Sequence, residues 1–241
     1  MSSIYKNIIS ASSKGKKLLA VLIDPDKMKM EHGSNFITKV NQSTATHIFV
    51  GGSEVDEGVT ENLVEELKKF TDLPVVLFPG DVVQITDKAD GILFLSLISG
   101  RNPDYLIGKH VEAVSKLSKT HLEVLPTGYL LIENGKQTSV ERVSKTKPLK
   151  RTEISTIVDT AKAGELLGMQ LIYLEAGSGA THPIEPNIIT KVKEEVNIPL
   201  IVGGGIRSIT ELESAYAAGA DLVVIGTAFE EDESFFNEIK K

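Results

Sequence analysis

Three glycine clusters stand where an anion could be held. Gly203-Gly204-Gly205, Gly226-Thr227 and Gly177-Ser178-Gly179 each follow a short aliphatic run. Glycine lets the backbone approach an oxyanion, and unpaired N–H groups then serve as donors. One such cluster alone reads equally well as a tight turn, but three after successive runs favour a phosphate seat. The segment GGGIRS lacks the G-x-G-x-x-G spacing and no Walker A motif is present, so a small phosphorylated molecule fits better than a dinucleotide. Two carboxylates close other runs. Asp24 ends LLAVLID, where a negative charge beside phosphate donors needs an intervening cation; Mg²⁺, which binds through one or two carboxylates plus substrate phosphates, is the usual one. Ser53 in GGSE can add a hydroxyl ligand or simply make a turn. Asp26 reads better as a cap of the helix that follows. Glu175 ends LIYLE, and period two places Leu171, Tyr173 and Glu175 on one face of that run. There a carboxylate can accept a proton from a hydroxyl of the phosphorylated ligand while the Tyr173 phenol orients it; a salt bridge is the plainer alternative. Lys27, Arg101 and Asn102 are candidates for a second anion, although each singly reads as solvated surface.

The elements that must position these residues are legible as well. Eight β-branched or aliphatic runs recur: 18–24, 47–52, 74–80, 91–96, 121–126, 171–177, 199–205 and 221–226. Most are apolar on both faces, as parallel strands covered on each side must be. Helical periods lie between them. Leu63, Val64, Leu67 and Phe70 make one apolar face, and Ile107, Val111 and Val114 another, the latter preceded by Asn102 as cap and Pro103 at the first helical position. Ser208 and Glu211 form a capping box, and Gly219 sits where that helix should stop. Strand and helix alternating eight times predict a single (β/α)₈ domain over residues 1–241.

Two spacings depart from this repeat. Only 17 residues separate Pro79 from Ser96, the ends of the third and fourth runs, so the third helix is predicted to be missing or reduced to a turn. Between Pro126 and Glu175 lie 49, and Asn134-Gly135 flanked by YLLI and TSVERV predicts a β-hairpin insertion after strand five.

Composition excludes much else. The chain has 241 residues, no cysteine and a net charge of −7. That rules out disulfides, thiolate metal sites and a thiol nucleophile, and it argues against unspecific nucleic-acid binding. The histidines (His32, His47, His110, His121, His182) form no ligand pair at helical or strand spacing. No apolar run reaches the length of a membrane span, and the expectation is a cytoplasmic protein.

The motifs LIDPDK (22–27), IFVGGSEV (48–55), LFPG (77–80), SGRNPDYLIG (99–108), PTGYLLIENG (126–135), TKPL (146–149), YLEAGSGA (173–180), IVGGGIRS (201–208) and VIGTAFE (224–230) run in order over nearly the whole chain. Together they resemble the geranylgeranylglyceryl phosphate synthase family, in its longer archaeal and Bacteroidetes-type branch. The resemblance implies a modified TIM barrel lacking the third helix. It also implies a prenyltransferase that joins sn-glycerol 1-phosphate to a long-chain polyprenyl diphosphate, usually geranylgeranyl diphosphate, with Mg²⁺. By position, Asp24 and Ser53 correspond to the metal ligands. Tyr173, Leu174, Glu175, Ala176, Gly177, Ser178, Gly179, Gly204, Gly205, Gly226 and Thr227 correspond to the glycerol-phosphate site, and Glu175 to the base. The tail would leave along a groove walled by Val82, Val83 and Ile85. In a chain without tryptophan, Tyr105 and Tyr129 are candidates to limit its length. The family is homo-oligomeric. The competing readings are another phosphate-binding barrel, such as a sugar-phosphate isomerase, and a catalytically silent ligand-binding barrel.

Overall fold

A computed structural model describes residues 3–28, 30–231 and 235–240. Its strands are β1 (Leu18–Ile23), β2 (His47–Val50), β3 (Val75–Leu77), β4 (Gly91–Leu97), β5 (Glu123–Leu131), β6 (Leu171–Glu175), β7 (Leu200–Gly203) and β8 (Leu222–Ile225). All are parallel, and β8 pairs back onto β1 to close the barrel in sequence order. Alternation along each strand divides the core in two. Ala20, Phe49, Val76, Leu93, Tyr129, Tyr173 and Ile201 fill the interior. Their sequence neighbours, among them Val21, Ile48, Ile92, Leu130 and Leu174, face the surrounding helices. Both layers are apolar, which is why the strands read as continuous hydrophobic runs.

The outer layer holds α2 (Met30–Gln42), α3 (Val59–Leu67), α4 (Lys109–Leu117), α6 (Ile154–Leu166), α7 (Pro186–Glu195) and α8 (Ile209–Ala217). The third helix is absent as predicted: Val82–Gln84 is a single 3₁₀ turn between β3 and β4. Before β1, α1 (Ile4–Ser13) puts Ile4, Ile8 and Ala11 into the interior cluster and closes the lower end of the barrel. The Glu123 carboxylate accepts from the Ile4 and Tyr5 N–H groups at 2.6 and 2.9 Å, satisfying donors a helix start leaves open.

Four expectations change. The insertion after β5 is not a hairpin. Gly135 does turn the chain, at φ 94°, but Thr138 then accepts from the Glu141 N–H at 3.1 Å and starts a short helix, α5 (Ser139–Ser144). A local cap within TSVE winds the chain into a helix first, and pairing resumes only later, where Leu149 forms a parallel bridge to Ile132 just past β5. Strand β5 runs past Pro126 to Leu131; the proline forgoes one ladder donor while Gln170 still donates to its carbonyl at 2.8 Å. Asn102 does accept from the Asp104 N–H at 3.1 Å, but the helix opens as a π turn, Asp104–Gly108, before becoming α4. Ile107, Val111 and Val114 then face solvent, while Ala113 is buried. Phe70 is likewise exposed, unlike Leu63, Val64 and Leu67.

His47, at the start of β2, is a structural imidazole. It is 4% exposed, bonded to the Thr46 hydroxyl at 2.8 Å, and burial holds its pKa down at about 4. The unfolded chain therefore binds a proton that the folded chain refuses. Stability present above pH 6.5 should be lost as the pH falls towards 4, by on the order of 3 kcal/mol. Melting temperatures across that window should decline in the wild type and decline less in His47→Gln; parallel curves would refute the assignment.

Candidate active site

The upper rim of the barrel encloses a cavity of about 330 Å³. Asp24, Ser53, Tyr173, Glu175, Ser178, Gly204, Gly205, Gly226 and Thr227 all line it, as do Tyr105, Tyr129 and Lys27. The sequence candidates from five different strand ends thus converge on one space. Leu174 and Ala176 are fully buried among the residues facing the helices, the expected fate of the alternate positions on β6. Arg101 and Asn102 lie elsewhere. Arg101 donates to the Ile98 and Gly100 carbonyls of its own loop, and Asn102 donates to the Ser144 carbonyl of the insertion at 2.8 Å, so neither lines the cavity. The helix start that Asp26 was expected to cap adjoins Lys29, outside the described residues, and the side chain of His32 lies outside them too.

Glu175 stands at the centre. It is 5% exposed and accepts from the Gly177 N–H at 2.5 Å. Burial pushes its pKa up to about 7, against the opposing effect of that N–H. Beneath it lies an aromatic floor in which Phe78 stacks on Tyr173, centroids 5.4 Å apart, and Tyr129 packs against both. The Tyr173 hydroxyl is buried and makes no hydrogen bond of ordinary geometry among the described residues, but it lies near enough to Glu175 to favour that carboxylate's charged form. Burial and the nearby Glu175 charge hold the Tyr173 and Tyr129 phenols far above their ordinary range, so both remain neutral donors. A neutral phenol set beside a buried carboxylate gives the floor of the cavity one donor and one acceptor close together.

The candidate anion cradle is built from backbone. Gly204 has φ 84° and Gly205 φ 75°, and the Cβ of any residue at 204 would lie 2.4 Å from Glu175 Oε1. Only glycine leaves room there for the carboxylate and for a ligand above it. Among the described residues none accepts from the N–H groups of Ser178, Gly204 or Gly205, whereas Gly179 donates to the Thr227 hydroxyl at 3.3 Å. Across the mouth, a Cβ at Gly52 would meet Asp24 Oδ1 at 2.9 Å, so the bare backbone brings this carboxylate against the loop carrying Ser53. Asp24 also accepts from the Asp26 N–H at 3.2 Å and pairs with Lys27 at 3.4 Å. One carboxylate and one hydroxyl on an open rim suit a hard cation that takes its other ligands from phosphate and water. No group of three or more acidic or histidine side chains forms a complete cage among the described residues.

Where the third helix is missing, the cavity leaves the barrel. It passes from interior Leu93 and Leu95 to Ile92 and Phe94 on the outer face of β4, then between Val82 and Ile85 on one side and His110 and Ala113 on the other. Val83, expected in this wall, points to solvent. Several contributors carried no sequence signal. Gln84 is buried and grips both backbone groups of Gly52, at 3.3 and 2.8 Å. Lys109 pairs with Asp81 beside the groove. Arg142 of α5 reaches Glu54 across the mouth at 2.5 and 3.2 Å. Each depends on a partner more than 25 residues away, which no local pattern encodes.

Fold and rim together define a (β/α)₈ barrel with open backbone N–H groups in its glycine loops, a buried carboxylate and an apolar exit where the third helix is missing. The family model for PcrB matches residues 13–241, and the chain belongs to the PcrB family. It is 59% identical to the geranylgeranylglyceryl phosphate synthase of Zunongwangia profunda, over 97% of this chain and 99% of that one. Its identity to the synthase of Flavobacterium johnsoniae is 56%, over 98% of each. Among solved structures it resembles (S)-3-O-geranylgeranylglyceryl phosphate synthase from Thermoplasma acidophilum in complex with the substrate sn-glycerol-1-phosphate. The TM-score is 0.93 and the identity 32%, with 99% of this chain and 96% of that one covered.

Proposed function

We propose that the protein transfers a polyprenyl chain from its diphosphate to the 3-hydroxyl of sn-glycerol 1-phosphate, forming an ether-linked prenylglyceryl phosphate. The observation that carries this is the position of Glu175, a buried carboxylate with a pKa of about 7, between an N–H cradle and an apolar groove. Residues of the loops after β6, β7 and β8 hold the acceptor phosphate, and the Tyr173 phenol orients the polyol. Glu175 takes the hydroxyl proton as that oxygen bonds C1 of the prenyl chain. The bond from C1 to the diphosphate oxygen breaks, and the diphosphate leaves. An allylic carbocation is intrinsically stabilised, so the protein chiefly positions the reactants, excludes water and supplies counter-charge. Asp24 and Ser53 would hold a magnesium ion, which when bound would supply such charge at the diphosphate. Lys27 lies beside them. The tail occupies the groove past Phe94, with Tyr105 and Tyr129 at its inner end.

The test is a radioassay with labelled sn-glycerol 1-phosphate, geranylgeranyl diphosphate and Mg²⁺, followed by extraction into organic solvent. Label should become extractable, and product masses across donors of ten to thirty-five carbons should identify the preferred length. No extractable label with any donor refutes the reading. The same reading includes a homo-oligomer working in the cytoplasm. No helix among the described residues is long and apolar enough to cross a membrane, and the exposed stripe Ile107, Val111 and Val114 suits contact between copies.

A further inference from the structure

The cradle has a charge problem. Its donors are neutral backbone N–H groups, and the ionisable side chain closest to them is Glu175, which is itself negative when it acts as a base. A phosphate monoester carries between one and two negative charges near pH 7. Arg207 lines the cavity, but its guanidinium already donates to the Ala180 carbonyl at 2.8 Å.

A second cation comes from the insertion after β5. Lys136 Nζ lies 3.2 Å from where a Cβ on Gly179 would stand, over a glycine of the cradle with φ 63°. The root of this side chain is fixed. The Asn134 side-chain amide donates to the Ala176 carbonyl, and its oxygen accepts the Lys136 N–H at 3.2 Å. The Thr138 methyl packs where a side chain at Gly177 would have to go. The start of the insertion therefore rides on the loop that follows β6. No carboxylate pairs with Lys136 among the described residues, in contrast to Lys147, which is bound to Glu141 at 2.8 Å. A lysine held at its base, with no carboxylate at its tip among the described residues and standing over the loop that carries Ser178, can serve as a closing counter-ion.

We propose that Lys136 folds its ammonium over the phosphate of the bound acceptor, making the insertion a selectivity element for charged phosphate monoesters over neutral polyols. This rests on the loops after β6, β7 and β8 being the acceptor seat.

The test compares wild type, Lys136→Gln, Lys136→Arg and, as a control for net charge, Lys119→Gln at the far end of the barrel. For Lys136→Gln the KM for sn-glycerol 1-phosphate should rise about tenfold, as loss of a charge-assisted hydrogen bond predicts, with kcat and the donor KM little changed. Lys136→Arg should restore most of the affinity. Calorimetry with inorganic phosphate should show the same order, and added salt should weaken wild type more than Lys136→Gln. An unchanged acceptor KM, or equal shifts in Lys136→Gln and Lys119→Gln, overturns the proposal. If no polyprenyl diphosphate is turned over by wild type yet phosphate binding still weakens in Lys136→Gln, the counter-ion stands and the transfer reaction falls. Normal turnover with unaltered acceptor binding does the reverse.

Discussion

Glu175→Gln should bind sn-glycerol 1-phosphate nearly as wild type does and turn over at least about 10²-fold more slowly, the usual cost of removing a general base. The amide keeps the shape and can still accept from the Gly177 N–H, so the cradle survives. What it cannot do is take a proton. The pH dependence sharpens the claim. With its pKa pushed up to about 7, Glu175 is the required carboxylate only above neutrality. Wild-type kcat/KM for the acceptor should climb as pH rises through 7 and then level, and the residual activity of the variant should lack that limb. Stability moves the opposite way. A carboxyl whose folded pKa is raised favours the fold below its unfolded pKa, and that contribution is lost as pH rises through the folded value. From 4.5 to about 7 the difference is on the order of 3 kcal/mol, so Glu175→Gln should melt at or above the wild-type temperature in alkaline buffer. A slow variant that also melts early would point to a structural role for Glu175 instead.

The second large effect is expected from Gly204→Ala. Its φ of 84° is unfavourable for any side chain, and the new Cβ would meet Glu175 Oε1 at 2.4 Å and the Gly177 nitrogen at 2.6 Å. Backbone strain alone costs roughly 1–3 kcal/mol. The clash adds displacement of the base and of a cradle loop, so acceptor affinity and turnover should both fall by about tenfold or more. Gly58→Ala separates the two causes. Gly58 has φ 82° but open space around it, so that variant should lose comparable backbone stability and keep full activity. Equal activity in both variants would remove Gly204 from the site.

How far the sequence carries this molecule depends on the range of each signal. Asp24, Glu175 and the three glycine loops were legible because strands of four to seven residues end abruptly, and two-residue alternation assigns each position a face. The absent third helix was legible as a spacing. At α1 a local signal and a distant one act together: Ser3 caps the helix from within, while Glu123, far along the chain, accepts from the Ile4 and Tyr5 N–H groups. What failed was local evidence overruled. Asn134-Gly135 predicts a β-hairpin, but the chain turns at Gly135 without pairing and Thr138 and Glu141 wind it into α5. The helical period of Ile107, Val111 and Val114 was real and its face was assigned inward, because exposed apolar stripes leave no mark that distinguishes them from core. Lys136 was passed over since nothing near it in sequence says that it will lie over Gly179.

The gap between β3 and β4 has a thermodynamic consequence. Where another barrel would lay a helix across Ile92 and Phe94, this one leaves an open apolar trench. On the proposed function, a hydrocarbon lying in it would do what the omitted stave would have done, and the lipid would serve as a removable piece of the protein's own core. Occupancy and thermal resistance are then linked, and the catalyst is most robust at the moment it is loaded.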